Sequence, residues 1–101
     1  MSKLKKFYDK NGYYLPINLL ENNKIDSSAK KLQAIYNNPP SDIKHPWNLQ
    51  AHLLADWIYD LCISPKLLDA VEEVIGPNIL IQSADIFIKP AKGKKHINWH
   101  Q

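Results

Sequence analysis

Apolar positions recur with two different rhythms along the chain. Up to about residue 75 they return every three or four positions; from residue 78 they tend to alternate. Leu4, Phe7 and Tyr8 predict a short helix over residues 3–10, with Ser2 placed to cap it and Asn11-Gly12 to end it. Tyr13-Tyr14-Leu15-Pro16-Ile17 reads as extended, and Pro16 confines it to a sheet edge or a strand end. A second helix starts near Asn22 or Asn23 and runs to about Asn37, with Ile25, Ala29, Leu32, Ile35 and Tyr36 on one face. Asn37-Asn38-Pro39-Pro40-Ser41-Asp42 is a loop by composition. A third helix is expected from about Pro46 to Cys62, with Leu53, Leu54, Trp57, Ile58 and Leu61 as its apolar stripe. The fourth has the fullest set of signals. Ser64 stands at the cap, Pro65 in the first turn, Leu67, Leu68, Val71, Val74 and Ile75 on one face, and Gly76-Pro77 at the stop.

Beyond Pro77 the composition turns β-branched and aromatic, and residues 78–89 read as one long strand. Strict alternation puts Ile79, Ile81, Ser83, Asp85 and Phe87 on one face and Leu80, Gln82, Ala84, Ile86 and Ile88 on the other. Residues 90–95 form a turn, and residues 96–100 a second strand with His96, Asn98 and His100 on one side. The expected class is therefore α+β: a single domain with a helical region over residues 1–76 and a β-strand region over residues 77–101. Leu54, Trp57, Ile58, Leu61, Leu68, Val71 and Ile75 are expected to be buried against one face of the long strand. A lone hairpin is marginal, so the chain reads as the front part of a larger β-rich protein.

Composition narrows the functional classes. The 101 residues carry 13 basic and 10 acidic side chains, a net charge of +3. Every basic residue is lysine, so the bidentate base contacts that arginine makes are missing and nucleic acid is not an expected partner. No apolar run approaches the ~18 residues of a membrane span, and no apolar stretch follows the N-terminal lysines as in a signal peptide. A cytoplasmic location is expected. Cys62, the single cysteine, sits among apolar neighbours and reads as a structural thiol. His45 and His52 read as surface or satisfied-core residues. Lys92-Gly93-Lys94-Lys95 lacks the leading glycine and the hydroxyl residue of a phosphate loop, and it opens no helix. His96, Asn98 and His100 on one strand face fit a pocket lining, a metal site or a solvent face alike.

The last twenty residues carry a family resemblance. Asp85-Ile86-Phe87-Ile88-Lys89-Pro90, a short basic loop and then Trp99-His100-Gln101 resembles the phytanoyl-CoA dioxygenase family. The opening Phe7-Tyr8-Asp9-Lys10-Asn11-Gly12-Tyr13-Tyr14-Leu15 and the helix end Glu72-Glu73-Val74-Ile75-Gly76-Pro77 are similar as well. The resemblance implies an oxygenase that uses Fe(II), 2-oxoglutarate and O2 to hydroxylate a small organic or acyl substrate. It also implies the first strands of a double-stranded β-helix, a cupin-like jelly roll, truncated here. Two histidines and a carboxylate hold iron in such enzymes, and His100 takes the position of the first ligand. The carboxylate partner falls one residue past Gln101. By register from Lys89-Pro90, the candidates for co-substrate contact are Ser83, Asp85 and Phe87. Trp99 is expected to pack opposite His100, with Gln101 turned away from the metal. The other ligands and the basic residue that grips 2-oxoglutarate are not among these 101 residues, so the chain alone is expected to be inactive, with no catalytic residue of its own. Two other readings stay open: a non-catalytic, lysine-rich helical interaction module, and a truncated homologue that self-associates through a strand edge.

Overall fold

A computed structural model describes residues 2–100 of the chain. Four helices follow in order: α1 (Lys3–Asn11), α2 (Asn22–Asn37), α3 (Asp56–Cys62) and α4 (Pro65–Ile75), with a 3₁₀ turn at Ala51–Leu53 before α3. The Ser2 hydroxyl accepts from the Lys5 N–H at 3.0 Å and so caps α1. Gly12 ends that helix at φ 79°, its N–H bonded to the Tyr8 carbonyl at 2.7 Å. Ser64 stands at the N-cap of α4 without a side-chain hydrogen bond there, and Pro65 fills the first turn. The third helix is much shorter than its apolar stripe suggests. Gln50, at φ 52°, breaks the backbone before the 3₁₀ turn, and Ala55, at φ −139°, breaks it again before α3.

Helix α4 lies between two partners. Leu67, Ala70, Val71 and Val74 face Leu4 and Tyr8 of α1, together with Tyr14 and Ile17 of the segment after it. Leu68 and Glu72, one turn apart on another side, face Ile79, Leu80 and Ile81. Phe7 joins α1 to the following segment through edge-on contacts with Tyr13 and Tyr14, at centroid distances of 5.6 and 5.7 Å. That segment contains a cis Leu15–Pro16 bond. Helix α2 packs through Leu32 and Tyr36 near Ile88 and Pro90, and Lys31 places its ammonium 5.8 Å from the Trp57 ring centre.

The expected α+β class, with the first strands of a jelly roll, is overturned: the described residues form helices and no strand. Strand-like composition is present in residues 78–89, but a strand exists only where a second backbone pairs with it in register. Ala84 and Ile86 reach the loop at residues 48–51, where the Ala51 N–H bonds the Ala84 carbonyl and the Ile86 N–H bonds the Asn48 carbonyl, both at 2.8 Å. The sense is antiparallel, but four residues face three, so the match is out of step at Gln50. The predicted faces break there too. Ile79 and Ile81 are half-buried, and the half-buried positions then shift to Ala84 and Ile86, leaving Gln82 and Ser83 both exposed. Residues 96–100 are exposed and form no strand either.

The core is correspondingly small. Of the seven residues expected to be buried against the strand, Ile58 is buried at 7% exposure, Ile75 is 64% exposed, and the others are half-buried. The exposed surface is 8800 Å², against about 5,900 Å² for a closed globule of this mass. The radius of gyration is 15.9 Å, against roughly 12.7 Å. Among the described residues no helix is long and apolar enough to cross a membrane. Ile58→Ala is expected to cost about 2–4 kcal/mol and to lower the urea midpoint sharply. Leu53→Ala, at a side chain 74% exposed, should leave that midpoint nearly unchanged.

Candidate functional site

The point where residues 84–86 cross residues 48–51 holds the most polar detail in the chain. Gln50 has a left-handed backbone, which costs a non-glycine residue about 1–2 kcal/mol, and this turns its N–H away from the regular pairing. The Asp85 carboxylate accepts that N–H at 2.9 Å. The Asn48 side-chain amide donates to the Ile86 carbonyl at 3.3 Å on the other side of the crossing. Asp85 thus caps a loop, satisfying a donor that the mismatch would otherwise leave unpaired.

The residues singled out for co-substrate contact do not converge. Ser83 and Asp85 are exposed, Phe87 is 73% exposed, and none of the three lines the cleft between α4 and residues 79–81. His100 lies on the exposed tail, its Nδ1 2.8 Å from the Asn98 carbonyl oxygen. A carbonyl oxygen only accepts, so the tautomer that makes this hydrogen bond has its proton on Nδ1 and a lone pair on Nε2. Trp99 is fully exposed. Gln101 lies outside the described residues. Among those residues no three histidine, cysteine, aspartate or glutamate side chains come close enough to hold a metal ion. His100 by itself does not fit an Fe(II) site, which needs a set of ligands held by their own hydrogen-bonding partners.

One polar group escaped the sequence reading. His52 lines a cleft of about 530 Å³ together with Tyr59, Glu72, Leu68 and residues 79–81. Its Nδ1 is enclosed and has no hydrogen-bond partner among the described residues, so of the two roles expected of it, surface or satisfied core, it does not fill the second. Its neighbours His52-Leu53-Leu54 read as helix, and nothing in that pattern marks the chain break at Gln50 that turns the ring inward. Cys62 is half-buried and unpaired.

Asp85→Ala is expected to cost about 1 kcal/mol and to speed hydrogen exchange at the Gln50 amide. Asp85→Asn, which keeps a carbonyl acceptor, should restore most of both. Compared with protein-family models, with curated proteins and with solved structures, the chain matches none.

Proposed function

We propose that this chain is the N-terminal portion of an Fe(II)- and 2-oxoglutarate-dependent oxygenase resembling phytanoyl-CoA dioxygenase, acting on a small organic or acyl substrate. Within it His100 serves as one metal ligand. The observation that carries the proposal is the His100 ring: its Nδ1 is engaged by the Asn98 carbonyl at 2.8 Å, which leaves Nε2 as the donor atom for a metal. A metal-bound histidine ordinarily gives its second ring N–H to such an acceptor. The motif Trp99-His100-Gln101 and the Lys89-Pro90 step before it support the same reading.

The bound iron and 2-oxoglutarate would supply the oxidising chemistry, and this chain contributes an oriented imidazole on an exposed segment. The remaining ligands come from outside these residues. Ser83, Asp85 and Phe87 stay candidates for co-substrate contact only in that larger assembly. We place the protein in the cytoplasm, where its single thiol stays reduced, and expect no nucleic-acid partner for a lysine-only basic surface.

Two measurements test this. The 101-residue chain, given Fe(II), ascorbate and 2-oxoglutarate, is expected to form no succinate above the protein-free blank; turnover would refute the single-ligand reading. The coding DNA after the Gln101 codon is expected to continue with an aspartate codon and, further on, a histidine and a basic residue. A stop codon in that place would overturn the oxygenase proposal.

A further inference from the structure

The cleft between α4 and residues 79–81 has a volume of about 530 Å³, within the roughly 300–1,000 Å³ usual for small-molecule sites. Half-buried Leu68, Ile79 and Ile81 give it apolar walls, and His52, Tyr59 and Glu72 bring three polar groups to it. The chain carries 13 lysines, yet none lines this cleft, so the Glu72 carboxylate sets its charge. No lysine stands three or four residues from Glu72 on α4 to offset that charge. His52 adds a second requirement. Its Nδ1 is enclosed with no hydrogen-bond partner among the described residues, whereas Nε2 is not enclosed in this way. A proton on Nδ1 would bury an N–H without an acceptor, which folded proteins avoid. The tautomer with its proton on Nε2 leaves only a lone pair in the enclosed place and keeps an N–H donor on the open side of the ring.

We propose that this cleft binds an apolar primary amine that carries a neutral oxygen beside the nitrogen, as an amino alcohol does. The ammonium pairs with Glu72, the oxygen accepts from His52 Nε2–H, and the apolar body lies against Leu68, Ile79 and Ile81. The Tyr59 hydroxyl both donates and accepts, so it serves either end of such a ligand. A carboxylate in place of the neutral oxygen would face Glu72 with no lysine in the lining to offset the repulsion. The enclosed, partnerless nitrogen costs the fold stability, and departures of that kind gather at sites that serve function. None of these residues enters the oxygenase reading, so the fate of one is separate from that of the other.

The test is a titration of the 101-residue chain with L-phenylalaninol at neutral pH, read through the His52 and Tyr59 ring signals in the NMR spectrum. A saturable shift of both is expected. Phenethylamine, which lacks the oxygen, and L-phenylalanine, which carries a carboxylate, should each bind about tenfold more weakly, the scale of one hydrogen bond to a charged group. Glu72→Gln, at an exposed side chain, should weaken L-phenylalaninol at least tenfold and leave the helical circular dichroism unchanged. His52→Phe should bring L-phenylalaninol down to the affinity of phenethylamine. It should not lower the urea midpoint, because it removes the partnerless nitrogen. The absence of a saturable shift at His52 overturns the proposal. So does equal binding of the three compounds, indifference to Glu72→Gln, or a fall in the urea midpoint of His52→Phe, which would mark the histidine as structural.

Discussion

Two backbone hydrogen bonds, one carboxylate and one side-chain amide hold the chain's later segment to its middle. Where residues 84–86 cross residues 48–51, the Ala51 and Ile86 amides are paired at 2.8 Å and the Gln50 amide is taken by Asp85 at 2.9 Å. The crossing places the run after α4 so that Ile79 and Ile81 face Leu68, and Ile88 reaches the Leu32 and Tyr36 side of α2. Helices α2 and α4 are thus related through a strap of chain.

That arrangement explains both what is ordered and what is bare. Helices satisfy most of their own backbone groups, so α1, α2 and α4 need few hydrogen-bond partners from elsewhere in the chain. The strap cannot satisfy its own backbone. Among the described residues its backbone pairs with one loop, out of step by a residue, and Leu80 and Phe87 remain exposed. With Ile58 and Ala51 as the buried apolar residues, the hydrophobic contribution to stability is small for a chain of this length, and any surface that covers the strap adds to it directly.

The same imbalance bears on chemistry. His100 meets its own backbone neighbour through Nδ1, an interaction two residues long that needs no tertiary contact. Ser83, Asp85 and Phe87 depend on which way the strap faces, and the shift in phase at Gln82 and Ser83 separates them from the cleft. His52 shows the reverse case: at an unremarkable position in the sequence, two residues after the turn at Gln50, its Nδ1 is enclosed and without a hydrogen-bond partner among the described residues.

The sequence alone determined the local features. Ser2 and Gly12 bound α1, Asn22–Asn37 is helical by periodicity, and Pro65 and Gly76 bracket α4, because caps, breakers and the helical repeat act over four residues or fewer. It also carries the Trp99-His100-Gln101 motif and the absence of arginine. Only the tertiary structure decided the rest. Residues 46–55 give up the helix their apolar stripe suggests, because Gln50 bends to meet Asp85. Residues 78–89 keep strand composition without becoming a strand, because β-structure requires hydrogen bonds from a distant backbone in the right register, and no local pattern of side chains can supply that partner.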